Sequence, residues 1–181
     1  MTDLTGANLS SMQPGDAAVA LRSFHRRFRD AARTAVVDLD GEPDEARIDE
    51  MAARVGPDGY SAIDLVRTAE EHIEATSRAI EAGLVQDDAT TAAAVTSRPD
   101  VRPGEASSGL DAAVGRVAAV AERLAERVEG ADARRWETPI QVDDGSATTP
   151  LALLRELVAA LVTWERDLTR TLRAVRGRPG R

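Results

Sequence analysis

Residues 150–175, near the end of the chain, have the sequence PLALLRELVAALVTWERDLTRTLRAV. A row of side chains recurs there at alternating steps of four and three residues: Leu154, Val158, Leu161, Glu165, Leu168 and Leu172. This spacing places them on one face of an α-helix. All are apolar except Glu165, and a charge removed from water is costly unless it is paired. The stretch therefore predicts a long amphipathic helix in which Glu165 has either a buried partner or a function.

Three further segments show the same helical periodicity. The first helix is predicted over 16–37, and a short extra helix is expected over 44–55. The second long helix opens at Ser61, with Asp64 placed for a capping box. The third follows Ser108 and keeps strict heptads. The first helix is expected to bury Ala17, Leu21, Phe24, Phe28, Ala31 and Ala35, and the short helix to bury Ile48, Met51, Ala52 and Val55.

The segments that join these helices differ in composition. Residues 85–108 are small and polar, which predicts a long crossover that holds one short helix around 89–95. Residues 136–145 predict a small extended excursion that turns at Asp144–Gly145. Residues 176–181 form a basic tail. We therefore predict one all-α domain over the whole chain, a four-helix bundle with a short extra helix and a long crossover between helices 2 and 3.

The composition excludes several kinds of function. The chain has 181 residues, a formal charge of −8, no cysteine and no lysine. There is therefore no thiolate nucleophile, no cysteine metal ligand, no Schiff-base lysine and no Walker A loop. The negative charge weighs against nucleic-acid binding, and no apolar run reaches the roughly 18 residues of a membrane span. Without cysteines or a recognisable signal peptide, a cytoplasmic location is expected.

Short motifs resemble those of the DinB-like superfamily, which includes mycothiol-dependent maleylpyruvate isomerases and related bacterial thiol-dependent transferases. The segment GYSAIDLV, at 59–66, is similar to the family's G-W-S-v-x-D-L-l opening of its second helix. A second set of residues resembles the stretch before the family's last helix: Trp136, Pro139, Asp144, Gly145 and Thr149. A third resembles a W-D-L run of the isomerase branch: Thr163, Trp164, Glu165, Asp167 and Leu168. The resemblance implies a four-helix bundle and, as cofactors, a metal or mycothiol.

The same resemblance implies a divalent metal held by a histidine on the second helix and often by a histidine pair on the last. The second-helix position falls on Thr68 here, and the last helix contains no histidine. Imidazole is a far better ligand for zinc or nickel than a threonine hydroxyl. We therefore predict that the metal site has been lost, and we assign no metal ligand. His72, one turn after Thr68, would bind a metal only in a rearranged site.

Four residues are candidates for a ligand pocket: Glu165, His72, Glu70 and Trp164. Glu165 is interpreted as a general base or a lone carboxylate ligand, or, as the preferred alternative, as the partner of an arginine on a neighbouring helix. His72 lies at the boundary of its helix face, where a solvated or hydrogen-bonded histidine is the commoner case. If His72 and Glu165 met across the bundle, they would form an acid–base pair. Glu70 lies close to the apolar face of the second helix, and Trp164 is expected in the core or at its rim.

The predicted first helix also carries a stripe of arginines opposite its apolar seam: Arg22, Arg26, Arg29 and Arg33. Such a stripe could bind a carboxylate or a phosphate. The preferred interpretation is a solvated face balanced by acidic residues of the second helix: Glu70, Glu71, Glu74 and Glu81.

Three functions remain open at this point. The preferred hypothesis is a small-molecule-binding or accessory protein on a DinB-like bundle without the family metal triad. The first alternative is a thiol (mycothiol)-dependent isomerase or transferase that works through acid–base residues. The second is an interaction module that pairs with a partner protein or with a second copy as a homodimer. Whether the protein is an enzyme stays undecided, and no catalytic residue is assigned.

Overall fold

The computed structural model describes residues 9–36, 45–104 and 109–176, and five α-helices account for most of them. The helices are α1 (Pro14–Val36), α2 (Glu45–Ala53), α3 (Ala62–Val85), α4 (Leu110–Gly130) and α5 (Pro150–Arg176). Helix α2 is short, and the other four form a bundle around an apolar core. The all-α four-helix bundle predicted from the sequence is confirmed. The basic tail beyond Arg176 lies outside the described residues.

The order of the helices around the bundle differs from that of a simple up-and-down arrangement. Helix α1 packs against α4 and α5, and α3 packs against the same two helices. The consecutive long helices α1 and α3 therefore lie diagonally across the core from each other. The short helix α2 and the turn that follows it connect them. Each of the four long helices consequently buries side chains toward two neighbours.

The buried face of α1 is close to the predicted one. Phe24 and Phe28 are fully buried, and their ring centroids lie 6.1 Å apart. The prediction was wrong for Ala31, which is half-buried, because Ala32 continues the four-residue step from Phe28 into the core. The prediction for Val55 was also wrong: its side chain is 58% exposed, because α2 ends two residues earlier.

The start of α3 has the predicted capping box. The Ser61 hydroxyl accepts a hydrogen bond from the Asp64 amide at 3.1 Å, and the Asp64 carboxylate accepts one from the Ser61 amide at 2.9 Å. This reciprocal pair satisfies two amide groups that the first turn of a helix would otherwise leave without partners.

The crossover between α3 and α4 contains a strand where a helix was predicted. Strand β1 (Thr90–Thr91) pairs in parallel with β2 (Ile140–Val142), which pairs antiparallel with β3 (Ala147–Thr148). Within the predicted helix at 89–95, the only helical residues are a single 3-10 turn at Ala93–Val95. The excursion before α5 turns at Gly145, whose φ of 88° lies in the left-handed region, so the predicted turn is confirmed. No helix in the described ranges is long and apolar enough to cross a membrane.

Candidate functional site

A row of buried polar side chains follows one face of α3. Asp64, Thr68, His72 and Thr76 recur at every fourth residue, and each is at most 5% exposed. The four-residue step keeps them in line along the helix. Polar groups in such positions are retained at a cost unless they find hydrogen-bond partners. The hydrophobic effect alone therefore does not explain why these four polar side chains are buried in the core.

Helix α5 completes the polar surface from the other side. The two helices run antiparallel: a Cβ atom on Gly83, near the end of α3, would lie 2.9 Å from the Pro150 side chain at the start of α5. At mid-length the His72 ring meets Trp164 edge-on, with centroids 5.5 Å apart and an interplanar angle of 79°. The buried α5 residues that carry polar groups are Trp164, Asp167 and Thr171; the Thr171 side chain lies near Gly56, just before the start of α3. We call the two rows together the polar seam: Asp64, Thr68, His72 and Thr76 of α3, with Trp164, Asp167 and Thr171 of α5.

A guanidinium from the crossover reaches the polar seam. Arg98 Nη1 donates a hydrogen bond to Asp167 Oδ2 at 2.6 Å. Its guanidinium carbon lies 5.7 Å from the centroid of the Trp164 ring, within the range of a cation–π contact. Asp167 also pairs with Arg170 at 3.2 Å. The one carboxylate of α5 in the seam is thus shared by two cations.

Three buried atoms of the polar seam have no hydrogen-bond partner among the described residues: Trp164 Nε1, Thr76 Oγ1 and Thr171 Oγ1. Thr68 differs from them, because its hydroxyl donates to the Asp64 carbonyl at 2.8 Å. An unsatisfied buried donor or acceptor costs ~1–3 kcal/mol. Native proteins keep few such groups, and those that persist often face a bound molecule or ordered water. The seam therefore has unused hydrogen-bonding capacity on both helices.

Burial determines the charge of His72. Removal from water lowers the pKa of its imidazole below 6.5, since desolvation disfavours the charged form. His72 is therefore neutral at pH 7, with one ring nitrogen able to donate and the other able to accept. The prediction of a boundary position was wrong, because the residue is only 4% exposed. Helix α3 is covered on this side by α5 and by the crossover, which a helical periodicity cannot reveal.

Glu165 has the predicted arginine partner but lies outside the polar seam. Its Oε2 is 2.5 Å from Arg27 Nη2, and the two side chains are 24% and 29% exposed. The contact is an ion pair without good hydrogen-bond geometry, since the same Oε2 makes no hydrogen bond in the described part of the chain. Arg27 also lies over the Phe24 ring, 4.8 Å from its centroid. The predicted pairing is confirmed, whereas burial is only partial.

The remaining candidates separate in space. Successive positions on a helix differ by about 100° in direction, so Glu165 points toward α1 while the neighbouring Trp164 faces α3. The suggested acid–base pair of His72 and Glu165 is therefore not formed. Glu70 faces α4, where it pairs with Arg116 at 3.0 Å. Of the four candidates, only His72 and Trp164 come together.

The arginine stripe of α1 is balanced by acidic residues, but not by those of α3. Arg22 pairs with Glu122 at 2.9 Å and with Glu129, and Arg29 pairs with Asp111 at 2.7 Å. The hydrogen bond from Arg22 lowers the pKa of Glu129. All three acidic residues belong to α4. The predicted partners on α3 were wrong because α1 and α3 lie diagonally across the bundle.

The polar seam does not suit a divalent metal ion. Within the described ranges, no three histidine, cysteine or carboxylate side chains are grouped so that they could hold one. Thr68 uses its hydroxyl within α3, and Asp167 already binds two guanidinium groups. A divalent cation would therefore meet Arg98 beside the only carboxylate that α5 offers here. The loss of the family metal site stays a prediction.

Three residues of the polar seam, Thr76, Asp167 and Thr171, were not predicted from the sequence, nor was Arg98, which reaches the seam from the crossover. A four-residue recurrence of polar side chains along α3 was the available signal. This recurrence does not by itself indicate burial, because threonine and histidine also occur on solvated helix faces. No sequence pattern indicated a role for Arg98, since it belongs to an irregular segment without periodicity.

Comparison with known proteins bears on the fold. No protein-family model matches the chain. None of the curated proteins matches it either. Among solved structures it is similar to YfiT from Bacillus subtilis, reported as a probable metal-dependent hydrolase with an unusual four-helix bundle topology. The TM-score is 0.59 at 10% identity, over 94% of this chain and 90% of that one. A likeness at this identity shows the fold alone, a four-helix bundle.

Proposed function

We propose that this protein binds a small polar molecule at the polar seam, as a DinB-like bundle that does so without a metal. The observation that carries the proposal is the partnerless buried Trp164 Nε1, with the partnerless Thr76 Oγ1 one turn of α3 beyond the His72 ring that contacts this indole. Thr171 Oγ1, also partnerless, lies toward the start of α3, where its side chain faces Gly56. A bound molecule that supplied the missing hydrogen bonds would recover part of the cost of burying these atoms. The indole N–H would orient such a molecule, since ligand sites combine apolar walls with a few polar atoms.

One observation favours a second candidate, an acid–base enzyme that uses a thiol such as mycothiol. His72 is neutral at pH 7 and buried beside the partnerless atoms, as a general base would be. Asp167 does not serve as its acid, because its carboxylate already binds the guanidinium groups of Arg98 and Arg170. Asp64, the other carboxylate of the polar seam, already accepts hydrogen bonds from Ser61, Arg67 and Gly104. Catalysis would therefore depend on His72 among the titratable groups of the seam.

The interaction module receives less support. Among the described residues, the large apolar side chains that are strongly exposed are Val19, Val55 and Val85. They belong to α1, to the turn after α2 and to the end of α3. Single exposed apolar residues are normal on a protein surface, whereas a docking site usually has a contiguous patch. A homodimer or a partner protein thus stays an untested alternative.

The indole N–H signals in nitrogen-15 NMR test the binding proposal. The chain has two tryptophans, so a Trp136→Phe variant assigns the Trp164 signal. A library of small polar molecules that includes mycothiol is screened for compounds that shift this signal. We expect hits whose affinity falls in Thr76→Val, which removes a hydroxyl of the polar seam.

Thr163→Val is the matched control. Thr163 is an exposed threonine on α5, and its hydroxyl bonds only to the Ala159 carbonyl. Its loss should leave binding unchanged. Hits that shift only the Trp136 signal, or that bind Thr76→Val as well as the wild type, would contradict the proposal. One tightly held metal per chain, found by elemental analysis of untagged protein, would contradict the metal-free part.

A further inference from the structure

Arg98 is fixed at the polar seam by the segment that carries it. On one side, the Ala93 amide donates to Asp143 Oδ1 at 2.8 Å. On the other side, the Gly104 amide donates to Asp64 Oδ1 at 3.0 Å. The backbone is therefore held both before and after Arg98. The guanidinium is held in turn by Asp167 and by the Trp164 ring.

The guanidinium has donors to spare. Of its five N–H groups, one on Nη1 donates to Asp167, and no described residue accepts from Nε or Nη2. The side chain is 33% exposed, whereas Asp167 is 12% exposed. Arg170 bonds to the other Asp167 oxygen, and its own second partner, Asp58, is 46% exposed. Arg98 thus combines a positive charge that is incompletely compensated with free donors beside the buried Trp164 ring.

We propose that the ligand of the polar seam is an organic monocarboxylate and that the Arg98 guanidinium is its receptor. This inference rests on the proposed binding function. The indole N–H of Trp164 can only donate, and so can the free N–H groups of Arg98. The ligand must therefore bring acceptors. Threonine hydroxyls accommodate either role, and His72 contributes no charge at pH 7.

Charge selects the carboxylate among ligands that accept hydrogen bonds. A cationic ligand would be repelled by Arg98. A phosphate dianion would bring two negative charges toward one guanidinium that Asp167 already neutralises in part. A carboxylate brings one charge, and its two oxygens match the planar fork of a guanidinium. Asp167 is a positioning residue in this arrangement, since it orients Arg98 and leaves its other edge free.

The test uses the Trp136→Phe protein, in which Trp164 is the single tryptophan. Its fluorescence is titrated at constant ionic strength with propionate, benzoate and phenylacetate, and with the primary amide of each. Inorganic phosphate and propylammonium are run in parallel. We expect saturable changes with at least one carboxylate and a much weaker response, or none, with its amide, with phosphate and with propylammonium.

Variants of Arg98 then identify the receptor. Arg98→Gln should weaken carboxylate binding by roughly ten- to hundredfold, the effect of losing a hydrogen bond to a charged group. Arg98→Lys keeps the charge but not the planar fork of the guanidinium, so its affinity for the carboxylate should lie between those of the wild type and of Arg98→Gln. Arg102→Gln is the matched control, because this arginine of the same segment is exposed and only its backbone carbonyl is used. Circular dichroism establishes that each variant is folded.

The outcomes separate this inference from the proposed function. Equal binding of amides and carboxylates, or unchanged binding in Arg98→Gln, would overturn the inference and leave small-molecule binding at the polar seam intact. A response limited to phosphate would also overturn it. If no carboxylate changes the Trp164 signal, the inference is wrong, and the wider NMR screen decides the proposed function separately.

Discussion

Replacing Thr76 by valine should stabilise the protein. Thr76 is fully buried in α3, and its hydroxyl has no partner in the described part of the chain. Valine has nearly the same shape and exchanges the hydroxyl for a methyl group. Both residues are β-branched with similar helix propensities, so the helix itself is hardly affected.

The expected gain follows from the burial of one group. An unsatisfied buried hydroxyl costs ~1–3 kcal/mol, and that cost disappears in the variant. We therefore expect Thr76→Val to raise the free energy of unfolding by about 1–3 kcal/mol. For a chain of this length, such a gain raises the melting temperature by roughly 3–10 °C. The same variant should lose affinity at the polar seam, the usual exchange of function for stability.

Thr68→Val is the matched control on the same helix face. Its hydroxyl donates to the Asp64 carbonyl at 2.8 Å, so valine loses a bond worth about 0.5–1.5 kcal/mol. Urea unfolding followed by circular dichroism should therefore give changes of opposite sign for the two variants. Thr76→Val destabilised as much as Thr68→Val would refute the reasoning, because the Thr76 hydroxyl would then have a partner of its own.

Three further perturbations test other parts of the structure. Glu165→Leu should leave the free energy of unfolding unchanged or raise it by about 1 kcal/mol, since a partly exposed ion pair is worth ~1 kcal/mol or less and leucine completes the apolar row. A loss above ~2 kcal/mol in urea unfolding would show that the pair with Arg27 stabilises the fold more than this. His72→Gln should reduce the fall in stability between pH 7.5 and 5.5: because the folded pKa lies below 6.5, the unfolded chain takes up the proton first as the pH falls, and folding is penalised in that window. If the free energy of unfolding of the wild type and of His72→Gln depended equally on pH, the lowered pKa of His72 would be contradicted. Phe28→Ala should cost ~3–5 kcal/mol, measured by the same unfolding experiment, and a near-neutral effect would mean that α1 buries another face.

The long helices could be predicted because large apolar side chains dominate their burial. Leu154, Leu161 and Leu168 of α5 are all fully buried, as their spacing indicates. The start of α3 was equally readable, since a capping box needs only two residues three positions apart. Local patterns of this kind do not depend on which helices become neighbours.

The polar seam could not be predicted in the same way. Whether His72 and Thr76 are buried depends on α5 and on the crossover, which lie far away in the sequence. Arg98 and Asp167 are 69 residues apart, and no periodicity relates them. The partners of Arg22 and Glu70 depend likewise on the order of helices around the bundle, which amphipathic patterns leave open. Sequence patterns thus predict which faces are buried, and the tertiary arrangement decides what they face.

The diagonal placement of α1 and α3 has a consequence for how the chain folds. Helix α1 cannot form a hairpin with the next long helix, because its neighbours are α4 and α5. Its aromatic pair, Phe24 and Phe28, gains its packing partners only after most of the chain has left the ribosome. Contacts between distant segments close late and slow folding. A nascent chain that ends before α4 should therefore expose these two rings and depend on chaperones until the last helices emerge.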